Sequence, residues 1–203
     1  MRTMMSTVDT QQRILDSARE LIFSRSYADV GVAAICEHAG VKKGSFYYFY
    51  PSKQALVLAV LDIQFTDFKE KLINRAFADD APPLARLANF VEAVYEIQNK
   101  ICVDSGQVWG CPFGNLSTEL STRDEAIRKR TQQIFIEMQR LICRVVEAAQ
   151  EVGELSPEVD GQNTAQAMVA YFEGVLLLAK NQNNPELIHR LLPFMAQIRI
   201  NRA

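Results

Sequence analysis

Two stretches hold residue types that can do chemistry. Residues 40–56 read GVKKGSFYYFYPSKQAL. Lys42, Lys43 and Lys53 are cations able to neutralise phosphate. Ser45, Tyr47 and Tyr48 add hydroxyl groups, and Gly44 leaves room for a backbone amide to approach an anion closely. The second stretch, GCPFGNL over 110–116, carries a thiol. Pro112 suits the first position of a helix, which makes Cys111 the capping residue. Amide dipoles at a helix start favour a thiolate, so a lowered pKa and a reactive sulfur are expected there. Gly110 and Gly114 leave space around it, and Lys180, at the end of an apolar segment, can pair with it. The plainer readings are that Cys111 is a small buried hydrophobe and that Lys180 simply favours a helix end.

The elements around residues 40–56 suit the first chemistry. Val32, Ile35, Cys36 and Ala39 form a short apolar-periodic segment, and Gly40 follows where a left-handed C-cap glycine belongs. A second helix then begins near Lys43, with Phe46 and Tyr50 turned inward and Tyr47 and Tyr48 outward. Two helices joined by such a turn form a helix-turn-helix, whose second helix can enter a DNA major groove. Pro51 ends it, and Ser52 caps the next helix, with Lys53 in its first turn as a phosphate contact.

The order Ile35, Ala39-Gly40-Val41, Lys43-Gly44-Ser45-Phe46-Tyr47, Pro51-Ser52-Lys53, Leu56 resembles the N-terminal domain of TetR-type transcriptional repressors, from about Gln11 to Leu61. Three positions depart from that pattern. Gly31 stands where the family usually has a capping Ser or Thr that touches phosphate. Lys42 replaces a common Ser or Thr, and Phe49 a common His or Tyr. The first and last remove phosphate contacts, and Lys42 can return one. The tract 110–116 further resembles a Gly-Cys-x-x-Gly-Asn-Leu segment in one branch of these repressors, some of whose members respond to oxidants or electrophiles through such a cysteine. The resemblance implies a two-fold dimer on a near-palindromic operator, a small-molecule effector and no cofactor.

Bulk properties are compatible with this. The 203 residues are 48% hydrophobic and 23% charged, an ordinary globular composition. Net charge is −2 and pI about 5.8. Residues 1–60 nevertheless hold seven lysines and arginines against five acids, a balance of +2, while the rest carry 15 against 19, or −4. The basic excess thus lies with the helix-turn-helix, as an electrostatic footprint should. No run of 18 apolar residues is present and the N-terminus lacks an apolar signal core, so a cytoplasmic protein is expected. Cys36, Cys102, Cys111 and Cys143 are scattered without metal-ligand spacing, so neither a zinc site nor a disulfide framework is expected.

An all-α chain of about nine helices follows from the periodicity, with a helix-turn-helix domain over 1–51 and a ligand-binding and dimerisation domain over 52–203. The expected helices are Asp9–Ser24, Val32–Ala39, Lys43–Phe49, a long one from Ser52 to about Phe77, Pro83 to about Val103, a short one from Pro112 to about Leu120, Asp124–Val152, Gln162–Lys180, and a last one after Asn184-Pro185 that Pro193 kinks. The segment 78–83, ADDAPP, breaks the long helix. Between Ala165 and Ala179 the chain is apolar on nearly every face, so a second subunit is expected to cover one side. Helices around 124–152 and 161–181 would then form the homodimer interface. Candidate pocket residues are Phe68, Tyr95, Gln98, Trp109, Cys111, Phe113, Tyr171, Phe172 and Lys180; aromatic residues at this spacing also suit a plain core. An enzyme with Cys111 as nucleophile is the alternative class. It lacks an evident base, because neither His38 nor His189 stands in a partner pattern.

Overall fold

The computed structural model describes residues 7–77 and 81–202. Of the expected breaker, Ala78 to Asp80 lie outside the described residues. The helices are α1 (Thr7–Ser24), α2 (Val32–Ala39), α3 (Lys43–Phe49), α4 (Lys53–Phe68), α5 (Asn74–Ala76), α6 (Pro83–Ser105), α7 (Pro112–Leu120), α8 (Glu125–Glu151), α9 (Gly161–Asn181) and α10 (Glu186–Leu191). A π-helical turn, Lys69–Ile73, joins α4 to α5, and a 3₁₀ turn, Leu192–Gln197, follows α10. Counting α4, the π turn and α5 as one run, nine helices are present among the described residues.

Capping chemistry sets most boundaries. Gly40 is left-handed (φ 62°, ψ 38°), and its amide and that of Val41 close α2 onto the carbonyls of Glu37 and Cys36. Tyr50 is extended (φ −132°, ψ 113°), as a residue before proline must be, and this stops α3. Ser52 accepts the Ala55 amide at 3.0 Å, Asp124 that of Ile127 at 3.1 Å, and Asp160 that of Asn163 at 2.9 Å. The long expected helix is interrupted by the π turn. Within that turn Leu72 and Ile73 are both buried. Pro193 does not kink a helix: α10 ends at Leu191 and the chain tightens into the 3₁₀ turn.

The chain forms two compact units. One comprises residues up to Gln64 with Asn115–Thr131, and the other Phe65–Gly114 with Gln132 onward. In the first, α1, α2 and α3 bury Ile14, Ala18, Ile35 and Phe46, and the C-terminal part of α7 adds Leu116 and Leu120. In the second, α6, α9, α10 and the 3₁₀ turn pack around Phe90, Met168, Phe172, Leu187 and Met195. Asn201 closes this unit through an isolated antiparallel bridge to Val159.

Candidate nucleic-acid interface and effector site

α3 is anchored by two aromatic side chains. Phe46 is fully buried and Tyr50 nearly so, their rings 6.2 Å apart. The other face points outward. Lys42, Lys43 and Gly44 are exposed, Ser45 is half-buried, and Tyr47 and Tyr48 are 55% and 76% exposed. Burying either tyrosine would remove a large apolar surface from water, so such exposure costs free energy unless a partner covers it. Neither Gly31 nor Lys42 makes a side-chain capping bond, so the first amides of α2 and α3 keep their donors free of a cap. A Cβ added at Gly44 would meet nothing within 4 Å, and no positive φ requires glycine there. Nothing inside the protein therefore demands a missing side chain at Gly44.

Lys53 is placed differently from the expectation. Its Nζ donates to the Tyr27 carbonyl at 2.5 Å and lies 3.7 Å from the centre of the Tyr27 ring. Burial lowers its pKa, with Glu119 acting in the opposite direction. The ammonium is turned into the α1–α2 loop. Glu119, from the C-terminal end of α7, secures the same loop by accepting the amides of Tyr27 at 2.9 Å and Ala28 at 2.7 Å. Sequence reasoning missed Glu119 altogether, because neither its spacing nor its neighbours mark it.

In the second unit, Phe68, Phe113 and Phe172 do come together. Phe68 stands 5.9 Å from Phe113 and 6.2 Å from Phe90, which lies 5.5 Å from Phe172. Phe65, Phe77 and Phe90, which sequence reasoning missed, complete this aromatic cluster. Tyr95 is not part of it: its hydroxyl donates to Glu186 at 2.6 Å and its ring packs on His189 at 4.9 Å. Tyr171 donates to the Leu191 carbonyl at 2.9 Å, tying α9 to the end of α10. Gln98 is buried and clamps Gly110 from both sides, donating to its carbonyl at 3.0 Å and accepting its amide at 3.1 Å. Trp109, half-buried, immediately precedes that clamp. An open groove of about 720 Å³ lies elsewhere, between α8, α9 and Arg202, and shares no residue with the expected pocket.

The clamp presents Cys111 at the start of α7, where the Gly114 amide reaches Sγ at 3.4 Å. The expected lowering of its pKa does not occur. Burial and the Glu173 carboxyl push the thiol well above its usual value, outweighing the Gly114 and Phe113 amides. Glu173, on α9, accepts a hydrogen bond from the thiol, and burial raises its own pKa to about 7. Its Oε1 is buried without a hydrogen-bond partner. A Cβ at Gly114 would overlap Oε2 of Glu173, so the glycine is what admits the carboxylate. Lys180 does lie close, its aliphatic stem against Gly110, but the charged group acting on Cys111 is Glu173. His189 is occupied by Tyr95, and His38 lies 3.7 Å from Glu20.

Residues 14–60 match the family model of bacterial regulatory proteins, tetR family, and residues 83–195 match that of the tetracyclin repressor-like C-terminal domain. The chain belongs to the TetR family. An uncharacterised HTH-type transcriptional regulator from Lactococcus lactis subsp. lactis is 33% identical over 176 residues, 85% of this chain and 84% of the relative. The HTH-type transcriptional repressor DhaR of Mycobacterium sp. (strain GP1) is 27% identical over 188 residues, 93% of this chain and 91% of the relative. The crystal structure of a regulatory protein TetR from Rhodobacter sphaeroides superposes with a TM-score of 0.83 at 29% identity, covering 93% of this chain and 98% of that one. The TetR-family assignment makes the protein a DNA-binding transcriptional regulator, and it leaves an enzyme built on Cys111 without support. Among the described residues, no helix is long and apolar enough to cross a membrane and no metal-binding cluster is found.

Proposed function

We propose that the protein is a cytoplasmic, effector-released repressor that holds a near-palindromic operator as a homodimer. The observation that carries this reading is the outward face of α3: two lysines, a glycine the fold does not need, and two exposed tyrosines on a helix pinned by Phe46 and Tyr50. Lys42, Lys43 and the uncapped amides at the start of α3 contact phosphate. Tyr47 and Tyr48 read base edges in the major groove. The proposed domain boundary near Pro51 lies between α3 and α4, inside the first compact unit, which runs on to Gln64.

Homodimerisation through α8 and α9 is supported by what those helices leave uncovered. Leu177 is 66% exposed, Leu178 46% and Ile136 37%. Two recognition helices would then meet grooves about 34–36 Å apart, and a change in that separation releases the operator. The effector is a small apolar or aromatic molecule at the phenylalanine cluster, or an oxidant or electrophile that modifies Cys111.

A gel shift tests the interface. The protein should select a palindromic duplex over random DNA, and Tyr47→Ala should lower that selectivity. Equal loss on specific and random DNA would remove Tyr47 from base reading. Cys111→Ser should keep operator binding and lose release by a quinone; release that survives this substitution would leave the sulfur without a sensing role.

A further inference from the structure

The position of Glu173 poses a question that effector release alone does not answer. A thiol shut in apolar surroundings is a poor nucleophile, because the thiolate is the attacking form and burial disfavours it. Yet the fold places a carboxyl group in hydrogen-bond contact with this sulfur, and keeps Gly114 without a side chain where that carboxyl approaches. Its Oε1 is buried with no hydrogen-bond partner, so an acceptor faces the site unspent. Burying such an acceptor costs free energy that a purely structural contact would not need.

We propose that Glu173 is the proton acceptor that lets Cys111 add to an α,β-unsaturated carbonyl compound. This rests on the reading of Cys111 as an electrophile sensor. The Glu173 carboxylate takes the Sγ proton as Sγ bonds to the β-carbon of the electrophile. The carbon–carbon π pair moves onto the carbonyl as an enolate. The enolate α-carbon then takes the proton back from the Glu173 carboxylic acid. The net change is addition of S–H across C=C, and no oxidant or reductant is required. Direct proton transfer suits a buried sulfur, since no free thiolate has to persist in an apolar site. A base that is half-ionised near neutral pH is matched to that task. Cys111, at the start of α7, is the titratable group facing Glu173, and Lys180, about two turns further along α9, rests its stem on Gly110.

N-ethylmaleimide, whose ring double bond is flanked by carbonyls, is the probe. Its rate of addition to Cys111 is followed in the full chain by peptide mass spectrometry, between pH 5.5 and 9. In the wild type the rate should rise with pH and flatten just above 7. In Glu173→Gln it should fall at least tenfold at pH 7.5 and keep rising to pH 9, as an unassisted buried thiol must. Glu173→Asp should restore part of the rate and the break in the profile. Intact operator binding and thermal unfolding show that each variant is folded. A Glu173→Gln profile that overlays the wild type overturns the role of Glu173 while leaving Cys111 as the sensor. A wild-type Cys111 that stays unmodified while Cys143 or Cys102 reacts overturns the electrophile reading itself.

Discussion

Replacing Glu173 by glutamine should favour the folded protein more above neutral pH than in mild acid. The carboxyl ionises near 4.5 in a solvated chain and at about 7 when folded. Between those values the folded state holds a proton that the unfolded state has released. Stability therefore falls as pH rises from about 4.5 to 7, and the penalty is complete above 7. Moving the ionisation from 4.5 to about 7, at about 1.4 kcal/mol per pH unit, is worth about 3.5 kcal/mol in full, of which about 3 kcal/mol develops between pH 4.5 and pH 8. Glutamine does not titrate, so its own packing and hydrogen-bond effects shift the whole curve without bending it. The difference in melting temperature, variant minus wild type, should thus grow by roughly 6–12 °C from pH 4.5 to pH 8, using roughly 2–4 °C per kcal/mol for a chain of this size. Scanning calorimetry at fixed protein concentration and one ionic strength measures it. A difference that stays flat across this range would show that Glu173 ionises normally in the folded protein. The description of the carboxyl as buried and paired with the Cys111 thiol would then be wrong.

Four further outcomes follow from the first unit and from the uncovered helices. Lys43→Ala should lower operator affinity and reduce the slope of log affinity against log salt by about 1, whereas Lys53→Met should leave that slope unchanged and cost about 1 kcal/mol of stability, since its ammonium is held by Tyr27. Gly44→Ala should leave the fold intact or stabilise it by up to about 1 kcal/mol while weakening DNA binding, both read on one preparation by thermal unfolding and fluorescence anisotropy. Glu119→Gln should cost about 1–2 kcal/mol, and amide exchange should speed up at Tyr27 or Ala28, because glutamine keeps one acceptor oxygen for the two donors. Leu177→Glu should give a monomer by sedimentation and abolish operator binding, as the proposed dimer requires.

What the sequence made legible is what local periodicity and capping encode. The apolar stripe of α8, the left-handed Gly40, the Ser52 cap and the outward Tyr47 and Tyr48 all depend on neighbours within a turn or two. What it hid depends on distant partners. A helix start favours a thiolate, but at Cys111 burial and Glu173 on α9 outweigh two amides and reverse the direction. Lys53 looked like a phosphate ligand because its position in the first turn of α4 is visible in sequence, while Tyr27 beneath it is not. Glu119 lies one helical turn from the glycine-cysteine tract, and nothing in its spacing announces two amides from the α1–α2 loop. The π turn at Lys69–Ile73 has no sequence mark at all, since adjacent buried apolar residues such as Leu72 and Ile73 also occur in the regular helices, Leu56 and Val57 among them.

The inward turn of Lys53 changes how DNA affinity must arise. At the start of α3 two lysines, Lys42 and Lys43, remain for phosphate. In the proposed dimer that is four side-chain contacts, and at about 0.9 per phosphate the salt slope from these groups is about −3.6. Between 50 and 200 mM salt such a slope loses roughly a hundredfold in affinity, less than the 10³–10⁵ typical of six to ten contacts. Non-specific holding by charge is then weak, in line with a chain whose net charge is −2. The shortfall has to be met by backbone amides at the uncapped helix starts, by Tyr47 and Tyr48 against the bases, and by the gain from two linked half-sites. Contacts of the last two kinds depend on the spacing between recognition helices far more than a lysine on a flexible stem does. A regulator built this way gives up little affinity to charge, and a small displacement of either α3 removes most of what is left.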